Sequence, residues 1–230
     1  MKVDVIVLVK GTPPCWKKSL DSFYRELPVN RLLIGDASCT GETLDTAKEY
    51  PNVVVYDQQK IRTIGYCIRK LIENVETEWF VFLHSDVVLP QNWFTEMAKY
   101  CGKYDWFECK KVGIYPDGTK PELKKELERQ FELRRAYSGG QMGKTKVLKK
   151  VVSFIDDDFV HRTEDVVIQH ILEKLGYKYG KVATTYHYHY VNPYRLTRKD
   201  RFQSMMSILK YQKTDWHSMW SNFKLFVSGK

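Results

Sequence analysis

Apolar, β-branched runs recur along the first hundred residues, at 3–9, 31–34, 53–56 and 79–83. Between them the apolar positions fall at helical spacing, over 16–27, 41–50 and 62–74. Strand and helix in strict alternation predict right-handed crossovers and a mostly parallel sheet buried on both faces. The fold class expected is an α/β sandwich.

Ligands of such sheets gather beyond the carboxyl ends of the strands. Asp36, in IGDAS, and Asp86, in LHSD, each follow a predicted strand, which directs both carboxylates to one crevice. Aspartate commonly ends a strand and opens a turn, but two at one sheet end point to a site. Neither GxxxxGK[ST] nor an early GxGxxG is present, so the usual phosphate cradles are missing. A nucleotide diphosphate held without them calls for a cation, and carboxylate with imidazole suits Mn²⁺ or Mg²⁺. His84 and Asp86 supply one half of that set. TTYHYHY, residues 184–190, supplies the other: in an extended chain His187 and His189 share one face and the tyrosines take the opposite one. An amphipathic edge strand with surface histidines has the same pattern.

Further on, DDDFVHRTEDVVIQHILEKLGYK carries Val166, Val167, Ile168, Ile171, Leu172 and Leu175 at helical spacing. Thr163 is placed to cap this helix and Gly176 to stop it. Glu164 and Asp165 then occupy its first turn, a position that the helix dipole alone favours for acids.

Composition narrows the partners. With 43% hydrophobic residues among 230, the chain can bury a sizeable core in one domain, with or without an appendage, and disorder is excluded. Its net charge of +9 suits nucleotide phosphates, an anionic membrane surface or nucleic acid. Nucleic acid is the poorest match, because before residue 193 the basic residues form no stripe interleaved with aromatics. Five cysteines without a CxxC pair indicate neither a disulfide framework nor a zinc knuckle, and a reducing, cytoplasmic setting is expected. MKVDVIVLVK alternates around Asp4 and reads as a strand rather than a signal peptide. No apolar run is long enough to span a bilayer as a helix.

Taken in order over residues 3–190, these motifs resemble those of the family 2 glycosyltransferases, whose GT-A fold joins a nucleotide-binding α/β sandwich to an acceptor-binding half. The resemblance implies one domain over 1–192, divided into a nucleotide-sugar half (1–100) and an acceptor half (101–192). GDAS at 35–38 is similar to the family's DDGS, which puts Asp36 at the nucleotide base, with Val9 and Ser38 alongside. HSD at 84–86 is similar to its DxD. Asp86 is then the metal-ligating aspartate, and His84 and Ser85 adjoin the nucleotide. SGG at 138–140 resembles the acceptor-side loop, with Gly139 and Gly140 in it. FIDDDF and TED resemble the later acidic motifs, which makes Asp165 the catalytic base and Glu164 its neighbour. The family's late histidine falls on His187, with His189 as the alternative ligand. Arg62 and Arg69 are approximate counterparts of phosphate-contacting arginines.

Some positions depart from the family pattern. His84 replaces the first aspartate of DxD, Gly35 replaces the first of DDGS, and no QxxRW follows the ED motif, so processive polysaccharide synthases match poorly. The activity implied is an inverting, metal-dependent transfer from a nucleotide-diphosphate sugar to a glycan or lipid-linked acceptor. One base and one cation suffice for it. A nucleotidyltransferase acting on a sugar phosphate would share the scaffold, but KGTPPCWKK is a faint echo of the glycine-rich basic signature that such enzymes carry near the N-terminus.

Residues 193–230 lie outside this resemblance. Phe202, Met205, Met206 and Leu209, then Trp216, Met219, Trp220 and Phe223, recur at helical spacing among many Lys and Arg. A basic amphipathic helical tail of this kind suits an anionic membrane surface. The same face would equally suit the catalytic domain or a second copy of the chain, giving a homodimer.

Overall fold

The computed structural model describes residues 1–13, 15–61, 63–114, 139–155 and 164–190. The basic tail, Arg62, Thr163 and the FIDDDF acids from 156 to 158 lie outside them.

Among the described residues, eight strands form one sheet in the order β3-β2-β1-β4-β7-β6-β8-β5. The first four are β1 (Val3–Gly11), β2 (Val29–Cys39), β3 (Val53–Asp57) and β4 (Trp79–His84), all parallel. Their crossovers are α1 (Trp16–Glu26), α2 (Gly41–Lys48) and α3 (Ile64–Glu73), within two residues of the ranges expected. Thr40 and Thr63 start α2 and α3, each accepting the N–H three residues on, as N-cap hydroxyls do. β2 runs five residues past its expected end, so Asp36 lies within the strand, paired with Val9 and Asp57.

The second half was less visible in the pattern. It comprises β5 (Val87–Val88), α4 (Trp93–Ala98), β6 (Trp106–Ile114), β7 (Gly140–Lys144), α5 (Thr145–Val152), α6 (Glu164–Lys174) and β8 (Tyr179–Tyr190). β7 runs antiparallel to β4 and β6, β5 antiparallel to β8, and β6 parallel to β8. The sheet is therefore mixed, although six of its strands point the same way. Gly176, at φ +79°, closes α6.

Strand alternation divides the core in two. Val5, Val7, Ile34, Val81, Leu83 and Phe107 face α1 and α4, whereas Ile6, Leu33, Phe80, Phe82 and Trp106 face α3, α5 and α6. Asp4, fully buried in β1, is held by Arg31 Nη2 at 2.6 Å, by Asn30 and by the Glu76 N–H. A buried carboxylate persists only when paired in this way.

Candidate functional site

β4 delivers its last residue, His84, to the carboxyl edge of the sheet, and the chain turns through Ser85 and Asp86 into β5. β5 pairs with the end of β8, with Val87 opposite His189, and the Tyr190 N–H donates to the Asp86 carbonyl at 3.0 Å. This long-range pairing sets His189 beside Asp86. His189 Nε2 lies 3.5 Å from Asp86 Oδ1 and 3.4 Å from His84 Nδ1. One ligand atom from each of the three residues falls within 4.8 Å of the others.

The chemistry of this donor set fits a divalent cation. His189 Nδ1 is 3.1 Å from the Tyr190 carbonyl, which accepts the ring proton and leaves the Nε2 lone pair facing the cluster. Desolvation, His189 and Lys111 hold the His84 pKa down at about 3. Desolvation also lowers His189, with Asp86 opposing. Without a cation a neutral His84 can donate its Nδ1–H to His189 Nε2, and in its other tautomer it frees that lone pair, so the cluster can offer two imidazole nitrogens and a carboxylate oxygen, a mixed set that suits Mn²⁺.

His187 does not join this cluster. The expected order was His187 first and His189 second, and the geometry reverses it. His187 is fully buried, with Nδ1 3.3 Å from Cys109 Sγ, because β6 pairs Lys111 with His187 deeper in the sheet. Alternation puts both histidines on one face but cannot say which one reaches the edge.

Glu164 and Asp165 begin α6 and are both buried. Glu164 Oε1 lies 3.9 Å from His84 Nε2, too long for a hydrogen bond yet close enough for charge to be felt. Asp165 Oδ1 accepts the Val166 N–H at 2.9 Å. Gly139 and Gly140 lead into β7 beside His84, whose N–H donates to the Gly139 carbonyl at 3.2 Å.

Two strands away, near the end of β2, Asp36 Oδ1 accepts the Cys39 N–H at 2.6 Å and Oδ2 accepts from Gln59 Nε2 at 3.2 Å. Burial raises its pKa, but these bonds outweigh it and the net shift is downward. Ser38 is exposed at φ +82°, while the Val9 side chain is in the core and its carbonyl accepts from Cys39 Sγ. Gly35 has a packing reason: a Cβ there would collide with the buried Gln58 amide. Arg69 is turned to Glu73 and to the Ile155 carbonyl, tying α3 to the segment after α5. Gln59 and Gly35's partner Gln58 were not anticipated; the QQ pair just past β3 was the available signal.

The family model for glycosyl transferase family 2 matches residues 4–144, more than half of the chain. This chain belongs to that family. Among solved structures, this family 2 member is similar to GalNAc-T7 with UDP, GalNAc and Mn²⁺, at 10% identity and TM-score 0.68, covering 91% of this chain but 48% of that one. S. aureus TarS 1-349 with UDP-GlcNAc gives 17% identity and TM-score 0.66, covering 98% and 73%. The mannosyltransferase PcManGT from Pyrobaculum calidifontis, with GDP-Man and Mn²⁺, gives 13% and 0.68, covering 98% and 69%. At these identities the likeness shows the fold, which is GT-A. No curated protein sequence matches the chain.

Proposed function

We propose that this glycosyltransferase is metal-dependent and inverting, and that it moves a sugar from a nucleotide-diphosphate sugar to a hydroxyl or phosphate acceptor. The observation that carries the reading is the convergence of His84 Nδ1, Asp86 Oδ1 and His189 Nε2 at the carboxyl end of β4. GalNAc-T7 and PcManGT, similar in fold, hold Mn²⁺ with nucleotide or nucleotide sugar, which supports the same class of ligand here.

His84, Asp86 and His189 would hold Mn²⁺ or Mg²⁺, which when bound neutralises the diphosphate and eases its departure. Asp36, with its carboxylate anchored by Cys39 and Gln59, offers an acceptor to a base N–H. Asp165 is the base and Glu164 the second candidate. It takes the acceptor O–H proton as that oxygen bonds to the anomeric carbon and the bond to the diphosphate oxygen breaks, inverting the centre in one displacement. Arg62, Ser38, Ser85 and the glycines at 139 and 140 complete the proposed contacts to donor and acceptor.

A panel of UDP-, GDP- and CDP-sugars with and without Mn²⁺ tests the reading. Metal-dependent release of one nucleoside diphosphate is expected. Inertness toward every donor, or synthesis of a nucleotide sugar from nucleoside triphosphate and sugar phosphate, would overturn it. A lipid-linked acceptor and a membrane-peripheral location are proposed from the tail sequence alone, and a cytoplasmic setting from the cysteine content. Full-length protein should co-sediment with anionic liposomes, less so at high salt, and truncation after Asn192 should abolish this. A dimer indifferent to liposomes, made monomeric by the truncation, would reassign the tail to oligomerisation.

A further inference from the structure

His187 has no exposure to solvent, and among the described residues its Nε2 has no hydrogen-bond partner. Desolvation keeps the ring neutral. An unpaired nitrogen in the core costs free energy that an apolar side chain would not incur, so the position calls for an explanation beyond packing. The ring packs on two chain segments that meet there, Cys109 Sγ contacting the Gly140 carbonyl at 3.7 Å. On one, Nδ1 lies 3.3 Å from Cys109 Sγ, which is itself fixed by the Trp93 Nε1–H at 3.1 Å. On the other is the bare backbone of Gly139 and Gly140. A Cβ on Gly139 would stand 2.7 Å from His187 Nε2 and 2.9 Å from His189 Cδ2, and one on Gly140 would stand 2.6 Å from His187 Nδ1. Gly139 also sits at φ +131°, a region that other residues avoid.

The imidazole therefore fills the space that two absent side chains leave, directly beneath the ligand cluster. Gly139 hands this constraint on, because its carbonyl accepts the His84 N–H at 3.2 Å. His189 receives it from the same strand, two residues along on the same face, with ring centroids 6.2 Å apart. We propose that His187 is a positioning residue for the metal centre: packed on Cys109 and the Gly139–Gly140 backbone, its ring sets the separation of the β4 end from β8 and so brings His84 and His189 to one cation. The inference rests on the metal reading above.

Mn²⁺ binding to the full chain, read as free Mn²⁺ by electron paramagnetic resonance beside the thermal midpoint of the metal-free protein, tests it without recourse to activity. His187→Ala removes the ring and should weaken Mn²⁺ binding by about 10- to 100-fold, the range for residues that orient ligands. His187→Phe supplies a slightly larger apolar ring without either nitrogen, and should lose less affinity than His187→Ala. His189→Ala should lose more than either. Loss in His187→Phe equal to that in His189→Ala would make His187 a ligand and overturn the proposal, as would wild-type affinity in His187→Ala. Should the Phe variant not fold, Gly140→Ala crowds the same ring and should weaken Mn²⁺ by a similar factor; unchanged affinity there would overturn the positioning role. Unchanged affinity in both Asp86→Ala and His189→Ala would instead reject the metal reading, and the proposal with it.

Discussion

At the end of β2, Asp36 is tied at both oxygens by its own chain, to the Cys39 N–H and the Gln59 amide. At the end of β4, Asp86 Oδ1 faces a histidine nitrogen at 3.5 Å, and that nitrogen faces another at 3.4 Å. Both carboxylates lie toward the carboxyl edge of one parallel set, yet Asp36 is held by donors of its own neighbourhood and Asp86 faces an imidazole brought by β8. Donors around a carboxylate fix a shape that is complete without a ligand. A carboxylate beside neutral imidazoles lacks a partner of opposite charge until a proton or a cation supplies it. On the function proposed above, the contrast is between a preformed recognition surface and a centre that a cation would complete.

Asp86→Ala should break the contrast most severely, weakening Mn²⁺-dependent donor binding by more than about 100-fold in calorimetry; unchanged affinity would remove Asp86 from the centre. Asp165→Asn should lower turnover on the order of a hundredfold, since positioned proton transfer contributes about that much, while donor affinity holds. Full activity in that variant, with loss in Glu164→Gln, would move the base by one residue. Asp36→Asn should weaken nucleotide binding by about tenfold, the worth of a charge-assisted hydrogen bond, and leave Mn²⁺ affinity alone. A parallel loss of Mn²⁺ would mean that the two strand ends are coupled.

The smallest effect concerns Asp4, far from the cluster. Burial raises its pKa, but the bonds from Arg31, Glu76 and Asn30 prevail and hold it below the ordinary 3.8. The stabilisation is complete above that value and is lost as pH falls through 3.8 toward the lower folded value. Urea midpoints should therefore drop in this acid window, and the drop should shrink in Asp4→Asn. An identical acid limb in the variant would assign the loss to other groups.

The parallel half was readable because strands buried on both faces leave unbroken apolar runs, as in VIVLV and WFVFL, with helical spacing between them. The other half hid its strands. β5 is two residues long, β7 reads GQMGK, and β6 carries Glu108, Lys110 and Lys111. The candidate site was readable in kind, since HSD and TTYHYHY announced carboxylate and imidazole. Which histidine reaches Asp86 was not, because that depends on the pairing of Val87 with His189 across a hundred residues, and period-two alternation is blind to register.

Electron spin-echo spectroscopy of the Mn²⁺-loaded full chain addresses the ligand set itself. Couplings from directly bound imidazole nitrogen are expected in wild type and in His187→Phe, and should be absent from the His84→Ala, His189→Ala double variant. A wild-type spectrum without nitrogen couplings, or one in which only His187→Phe abolishes them, would contradict a centre formed by His84, Asp86 and His189.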